Sequence, residues 1–256
     1  MKILIATHKD YKMPNNPIYQ PIRVGSELAS DLFGFQADNT GQNISAKNPI
    51  YNELTALYWA KYNLQQEDVI GLAHYRRYLG TRRSHDLKDI LTESDINTGL
   101  KYADVLVPNA RNYYVETQEQ HYLNAHANEP YFILKEVIAS EFTAYTDAFE
   151  QVAQSKTAFL FNMAIMRQAD FQAYTDFLFD VLGKVEERLD WSKLDGQDVR
   201  SLGFMAERLL NVWIIANDKR TKEYALVTTE KTNWLDKGYH FLKRHFSKSG
   251  SGKVHF

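Results

Sequence analysis

Short apolar runs alternate with longer amphipathic segments along most of this chain of 256 residues. Four runs have the length and composition of buried strands, at residues 2–7, 68–73, 103–107 and 158–166. Helical spacing of apolar positions and capping signals predict helices beginning near Asn48 and Thr92, and others over residues 116–126, 131–154, 171–189 and 198–216. This alternation predicts an α/β fold with a mainly parallel central sheet flanked by helices.

Residues 8–47 do not follow either period and include three prolines and three glycines. A segment of this length without an element of its own is usually functional rather than a passive connector. In parallel sheets, ligands bind beyond the carboxyl ends of the strands. The polar residues that follow each predicted strand are therefore the first candidates for chemistry.

Composition excludes several classes of protein. The chain has no cysteine, which excludes disulfide scaffolds, Cys-ligated metals and thiol nucleophiles. The net charge of −2 is unlike the basic excess of a general nucleic-acid binder. No apolar run is long enough to span a membrane, and the N-terminal apolar run is too short for a signal peptide. We expect one domain over residues 1–230, located in the cytoplasm or at the inner face of the cell membrane.

Residues 231–256 differ in composition from the rest. They contain six Lys and Arg residues against one acid, Asp236, so this tail carries +5 and the remainder of the chain −7. Aromatic residues are interleaved with the cations, a composition that suits contact with an anionic membrane surface. A basic amphipathic helix packed on the acidic body would have the same composition, and both interpretations stay open.

The first candidate site is the run His74-Tyr75-Arg76-Arg77, directly after the second predicted strand. Guanidinium groups bind phosphate oxygens in bidentate fashion, so two adjacent arginines at a strand end indicate an anionic ligand. The alternative is a solvated basic loop. The flanking rings and the position at the strand end favour the ligand site.

Two further candidates would lie near the same edge of the sheet. Thr7, His8, Lys9 and Tyr11 follow the first strand and would suit a nucleotide, although a surface turn would look similar. A polar segment that includes Ser45 and Lys47 leads into the helix beginning near Asn48, where backbone N–H groups favour phosphate or carboxylate. A well-capped loop is the equally plausible alternative there.

Two candidates come from later segments. Asn162 is an amide inside an apolar run, where it either bridges backbone groups in the core or contacts a ligand. A polar face of the last predicted helix carries Gln197, Arg200, Glu207 and Asn211, and the default for such a face is exposure to solvent. Glu207 and Arg208 could instead point into a cleft as a carboxylate with a cationic partner.

Several common motifs are missing. No Asp-x-Asp follows a strand, and the chain has no Walker A loop, no G-x-G-x-x-G after a strand and no G-x-S-x-G elbow. His121 and His126 are five residues apart, which is poor spacing for two metal ligands on a helix. We therefore expect no metal site.

Taken in order, six segments resemble a family of bacterial capsular and exopolysaccharide biosynthesis proteins, long labelled only as a domain of unknown function and regarded as glycosyltransferases. The segments are HKDYKMP at residues 8–14, YQPIRVG at 19–25, NISAKNPIYNELTALYWA at 43–60, IGLAHYRRY at 70–78, FNMAIM at 161–166 and ERLLNVW at 207–213. The resemblance implies a GT-A-like nucleotide-sugar fold. It also implies a UDP-sugar donor, with galactose or galactofuranose as plausible sugars, and a lipid-linked oligosaccharide acceptor.

The resemblance places HYRRY at the strand end where an Asp-x-Asp normally holds a metal. It implies that Arg76 and Arg77, with Lys47, neutralise the diphosphate in place of a divalent cation, so that no cofactor is expected. The donor-binding residues expected on this basis are Thr7, His8, Lys9, Tyr11, Ser45, Lys47, Asn52, His74, Tyr75, Arg76 and Arg77.

Glu207 is the expected general base or charge stabiliser, with His74 as a second catalytic residue and Asp170 and Asp198 as rivals for the role of base. The residues expected to contact the acceptor are His121, Asn162, Met163 and Arg208. Two other functions stay open. One is a catalytically silent subunit of a polysaccharide assembly complex that binds nucleotide sugars or carbohydrate. The other is a phosphate-ester hydrolase built on the arginines, for which no nucleophile or metal site is visible.

Overall fold

The structure is a computed structural model that describes residues 1–230. The basic aromatic tail, and with it the expected boundary after residue 230, lies outside the described residues. The strands of residues 1–230 are β1 (Lys2–Thr7), β2 (Tyr19–Arg23), β3 (Gln36–Ala37), β4 (Val69–His74), β5 (Arg77–Gly80), β6 (Val105–Pro108), β7 (Arg111–Asn112), β8 (Thr157–Ala158), β9 (Ile165–Arg167) and β10 (Thr221–Thr228). The α-helices there are α1 (Asn48–Tyr51), α2 (Leu54–Asn63), α3 (Glu93–Tyr102), α4 (Gln118–Ala125), α5 (Asn128–Glu141), α6 (Thr146–Gln154), α7 (Gln168–Arg188) and α8 (Ser201–Ala216).

Within this range, eight strands form a central sheet in the order β3-β2-β1-β4-β5-β10-β6-β9, with a further pairing of β4 with β9. Pairing is parallel from β3 through β2 and β1 to β4, and again between β10 and β6. The remaining pairs are antiparallel. The α/β fold class is confirmed. The parallel arrangement holds for the half that contains β1, and the other half of the sheet is mixed.

The sheet is covered on both faces, which explains why β1 reads as one continuous apolar run. Leu4 and Ala6 pack into the larger cluster, which is formed with α2 and α5 to α8. Ile3 and Ile5 point to the opposite face and pack into the cluster that includes α3. Among residues 1–230, no helix is both long and apolar enough to cross a lipid bilayer.

The prediction that residues 8–47 lack regular structure is wrong, because β2 and β3 lie in this segment. Tyr19 of β2 pairs with Ile3, and Ile22 is completely buried between neighbouring elements. β2 and β3 carry too few apolar positions to show a strand period, and β2 also contains Pro21. Their strand conformation depends on pairing with β1, which is a long-range contact.

Three predicted elements are each divided in two. The helix that begins near Asn48 breaks at Asn52, whose φ of 53° and ψ of −130° end α1 before α2 begins. Residues 131–154 form α5 and α6, separated by a short 3-10 helix at Thr143–Tyr145. The run 158–166 is divided into β8 and β9 by a turn in which Phe161 and Asn162 both have left-handed φ values, 71° and 53°. The sequence analysis placed no element at β10.

Candidate functional site

The carboxyl ends of three parallel strands meet at one edge of the sheet. β1 lies between β2 and β4, so Thr7, Arg23 and His74 end neighbouring strands. His74 pairs directly with Arg77 at the start of β5, which leaves Tyr75 and Arg76 in a tight turn. The chain thus places the arginine pair at the edge where ligands of parallel sheets bind.

Aromatic rings from two of the predicted segments pack together here. His8 and Tyr11 both contact the ring of Tyr75 edge-on, with ring centroids 5.3 and 5.1 Å away. The guanidinium carbon of Arg76 lies 4.9 Å from the centroid of the Tyr75 ring. The segment after β1 and the turn after β4, predicted separately, therefore form one surface of rings and cations.

The electrostatic environment of this surface is positive. The pKa of His8 is lowered by partial burial and then by the nearby cations Lys9, Arg23, Arg76 and Arg200. Cations from four separate segments therefore act on one point beyond the strand ends. Such a concentration of positive charge attracts an anionic ligand.

Arg77 differs from the other cations in that its guanidinium packs on an aromatic ring of the Phe161 turn. Its guanidinium carbon lies 4.6 Å from the centroid of the Phe161 ring, and the residue is half-buried. Burial and the charge of Arg76 lower its pKa, but an arginine stays protonated at neutral pH. Within residues 1–230 its guanidinium makes no hydrogen bond to a protein acceptor. Five N–H donors fixed against a ring are thus available to an anion.

The two residues predicted to be catalytic both bind the backbone of Phe161. The Nε2 atom of His74 lies 2.6 Å from the Phe161 carbonyl oxygen, and because a carbonyl only accepts, Nε2 carries the hydrogen. The backbone N–H of Phe161 donates to Oε1 of Glu207 at 2.9 Å. The left-handed turn at Phe161 therefore holds His74, Glu207 and the ring under Arg77 in one cluster.

Burial raises the pKa of Glu207 to about 7, against the opposing effects of Arg208, the Phe161 N–H and Arg77. The charge of Glu53 contributes in the same direction as burial. In the described part of the chain, only one of the two carboxylate oxygens of Glu207 accepts a hydrogen bond. Burial also lowers the pKa of His74, which is therefore neutral at pH 7. Glu207 is thus suited to take up a proton near neutral pH.

Asn162 links this cluster to neighbouring parts of the chain through its side-chain amide. Its Nδ2 donates to Oε1 of Glu53 at 2.8 Å and to the Gly203 carbonyl at 3.1 Å, which ties the turn to α8. Its amide oxygen is buried and has no hydrogen-bond partner in the described residues. Gly203 cannot carry a side chain without movement, since a Cβ there would lie 2.6 Å from Nδ2 of Asn52.

A second group of side chains lies within electrostatic range of Glu207. His121 packs on the ring of Tyr113 with centroids 4.4 Å apart, and its Nδ1 lies 3.0 Å from Oε2 of Glu116. The pKa of Tyr113 is raised by burial, and the charges of both Arg208 and Glu207 act on it. Glu207 therefore lies within electrostatic range of the cationic cluster and of this ring pair, which could hold a second substrate.

Met163 and Arg208 do not fit the predicted role of acceptor contacts. Met163 is completely buried in the core, so its side chain cannot reach a ligand in this conformation. Arg208 is only 6% exposed and donates to the backbone carbonyls of Phe204 and Gln118. Arg208 instead supports the junction between α8 and α4.

Three predicted donor contacts have their side-chain groups bound elsewhere in the protein. The hydroxyl of Thr7 donates to the Lys9 carbonyl and stabilises the turn after β1. The hydroxyl of Ser45 donates to the buried carboxylate of Asp38. Lys47 forms an ion pair with Glu186 of α7 at 2.8 Å and lies over the ring of Tyr51. Neither contact involves the turn at Tyr75 and Arg76.

Asn52 and the two rival carboxylates have defined partners. Oδ1 of Asn52 accepts a hydrogen bond of 2.7 Å from Nε of Arg200, one of the cations acting on His8. Asp170 forms an ion pair with Lys219 at 2.6 Å. Asp198 is buried beside His126 at 3.5 Å. The ion pair of Asp170 does not involve Arg77 or the Phe161 turn.

Glu53, Arg23 and Tyr113 were not singled out from the sequence, whereas Arg200 was predicted on the polar face of the last helix. Arg23 could have been found by treating YQPIR as a strand, because its last residue then falls at the same sheet edge. No local signal identifies Glu53, which reaches the site because the chain reverses at Asn52.

The turn that directly follows β4 consists of Tyr75 and Arg76 and contributes no carboxylate, the ligand type that a divalent cation prefers. Among residues 1–230 no group of three or more His, Asp or Glu side chains is placed to hold a metal ion. The donor set at this edge fits an anion rather than a cation.

A search of curated proteins found no match. Among solved structures, the chain is similar to the apo structure of the WbbM bifunctional glycosyltransferase, with a TM-score of 0.82 and 27% sequence identity. The match covers 90% of this chain and 45% of that chain, so this chain spans less than half the length of its structural relative. The similarity confirms a GT-A-like fold. A family model described as Domain of unknown function (DUF4422) matches residues 2–219, and the chain therefore belongs to this family.

Proposed function

We propose that the protein is a glycosyltransferase that moves a hexose from a UDP-sugar to a lipid-linked oligosaccharide during capsular or exopolysaccharide synthesis. One observation carries the proposal. The half-buried guanidinium of Arg77 has no protein hydrogen-bond acceptor in residues 1–230 and lies within electrostatic range of Glu207, whose pKa is raised by burial to about 7. An anion site beside a titratable carboxylate is what transfer from a nucleotide sugar requires. The similarity to a bifunctional glycosyltransferase supports the same class of reaction.

In this proposal the diphosphate of the donor binds among Arg23, Arg76 and Arg77, with the rings of Tyr11 and Tyr75 beside it. An acceptor hydroxyl attacks the anomeric carbon, and the bond from that carbon to the phosphate oxygen breaks. The electron pair of that bond stays on the leaving UDP, whose charge the arginines stabilise. The hydroxyl proton passes to Glu207. A single displacement of this kind inverts the configuration at the anomeric carbon.

The acceptor in this proposal approaches Glu207 past Tyr113 and His121. An aromatic side chain offers a flat apolar surface to a sugar ring, and His121 can exchange hydrogen bonds with its hydroxyls. Asn162 holds Glu53 and α8 in place instead of contacting the sugar.

The metal-independent mechanism predicts that EDTA leaves turnover unchanged. Thermal-shift and hydrolysis assays with a panel of UDP-, GDP- and dTDP-sugars, with and without EDTA, test this prediction. We expect a UDP-sugar to raise the melting temperature and to be turned over equally under both conditions. Turnover that disappears in EDTA would contradict the role given to the arginines. Stabilisation without turnover, even with an acceptor glycolipid present, would indicate a silent binding subunit.

We further propose that residues 231–256 bring the protein to the anionic cytoplasmic face of the cell membrane, on the basis of their composition. A chain ending at residue 232 should lose pelleting with vesicles that contain anionic lipid, while its donor turnover in solution is unchanged. Pelleting equal to that of the full chain would reject this role of the tail.

A further inference from the structure

A groove of about 510 Å³ lies between α1, α2 and α7, and the proposed reaction does not use it. Its volume is in the range of small-molecule sites. Four aromatic residues line it: Tyr51, Tyr58, Phe179 and Trp191. Tyr58 and Trp191 are half-buried, so part of each ring is open to a ligand.

The charged groups of the groove are held in ion pairs. Both carboxylate oxygens of Glu186 lie 2.8 Å from the ammonium of Lys47, and one also accepts a hydrogen bond of 2.9 Å from the Tyr51 hydroxyl. Glu187, also in the lining, lies 3.7 Å from Lys184. The lining itself therefore carries one cation and two carboxylates, in contrast to the cationic edge of the sheet.

The glycine at position 183 also indicates that the groove holds a ligand, independently of the rings and charges. It lies in the interior of α7, where glycine destabilises a helix relative to alanine. Packing does not require it, because a Cβ built at this position meets nothing within 4 Å. Its effect is to keep the floor of the groove free of a side chain.

We infer that this groove binds a neutral hexose oligosaccharide at a second site, separate from the reacting sugars. A sugar ring places its C–H face against an aromatic side chain, and its hydroxyls exchange hydrogen bonds with a carboxylate and an ammonium. A nucleotide or another polyanion would find no excess positive charge here. The inference rests on the proposed function, which supplies an oligosaccharide that has to be held as it grows.

The groove and the reaction site share a short segment of chain. Tyr51, the last residue of α1, contacts Glu186 in the groove. Two residues later, Glu53 contacts Asn162 at the reaction site. A glycan bound in the groove would therefore contact the same segment, residues 51–53, that contributes Glu53 to the reaction site.

Saturation-transfer NMR and calorimetric titration with galactose- and glucose-based tetrasaccharides test the inference. We expect the wild-type protein to bind at least one of them, and Gly183→Leu and Trp191→Ala each to weaken that binding at least tenfold. Gly183→Leu fills the floor of the groove while raising helix propensity, so its melting temperature should not fall. Glu207→Gln should bind the tetrasaccharide like the wild type.

Hydrolysis of the UDP-sugar should be unchanged in Gly183→Leu, so failure of this inference is distinct from failure of the proposed function. No binding of any tetrasaccharide, or binding that both groove variants retain, would overturn the inference. The inference would also be overturned if the protein self-associates and Gly183→Leu abolishes the self-association. The occupant of the groove would then be a second copy of the chain.

Discussion

In the Glu207→Gln variant, kcat for sugar transfer should fall by about 10²- to 10⁴-fold, the range typical of losing a general base. Glutamine has the same shape and can still accept the hydrogen bond from the Phe161 N–H, so the turn should be kept. The affinity for the donor, measured by calorimetry, should stay close to that of the wild type, because the diphosphate binds to the arginines. Transfer to an acceptor is measured by release of UDP under saturating substrate.

The pH profile provides a second readout of the same variant. Burial raises the pKa of Glu207 from its ordinary value of 4.5 to about 7, so the basic form accumulates only as pH rises through about 7. Wild-type kcat should therefore increase across that interval, and the residual activity of Glu207→Gln should not. A raised carboxyl pKa also means that this group's contribution to folding stability is lost as pH rises from 4.5 through about 7. Glu207→Gln should not show this pH-dependent loss of folding stability.

Asp170→Asn is the matched control, because Asp170 is a rival carboxylate that forms an ion pair with Lys219 away from the Phe161 turn. It should keep the kcat and the pH profile of the wild type. If Asp170→Asn loses activity while Glu207→Gln retains it, the base has been assigned to the wrong residue.

In the Arg77→Ala variant, donor affinity should fall by roughly 10- to 150-fold, which corresponds to about 1.5–3 kcal/mol for a hydrogen bond to a charged group. The guanidinium of Arg77 has no protein hydrogen-bond acceptor within residues 1–230. Removing it therefore breaks no hydrogen bond to a protein carboxylate there. The loss should therefore appear in ligand binding more than in folding. Titration with UDP and with the UDP-sugar measures it, and a thermal melt checks the fold.

Variants of two other arginines test whether the donor binds through a specific contact with Arg77 or through the general positive charge of the turn. Arg82→Ala removes a cation from the same basic stretch of sequence, but its side chain is 67% exposed and lies 3.0 Å from Asp89. It should bind the donor as the wild type does. Arg76→Ala should weaken binding less than Arg77→Ala, since Arg76 already pairs with Glu230 at 3.0 Å. Equal affinities in all three variants and the wild type would mean that the turn is only a solvated loop.

Local patterns were sufficient to predict the elements that are buried on a clear face or strongly capped. β1 and β4 were predicted because both are apolar along almost their whole length, and α3 because Thr92 and Asp95 form a reciprocal capping box. The turn after β4 was also recognised as a candidate site, because two arginines at a strand end are visible without a structure.

Local patterns failed where the conformation depends on distant partners. β2 and β3 become strands only by pairing beside β1. The strand predicted over residues 158–166 breaks because Phe161 adopts a left-handed conformation, in which its N–H and carbonyl bind Glu207 and His74. The partners of this turn lie in β4 and α8, far away in sequence.

Short-range patterns of apolar and polar residues were enough to predict the α/β class, the polar residues at the strand ends and the positive charge of the turn after β4. Which polar residues act together depends on the tertiary structure. It brought Glu53 to Asn162, stacked His121 on Tyr113 and paired Lys47 with Glu186 instead of a donor. The physical reason is that apolar periodicity and capping are properties of neighbouring residues. The burial that raises the pKa of Glu207 arises only when separate helices and strands have packed.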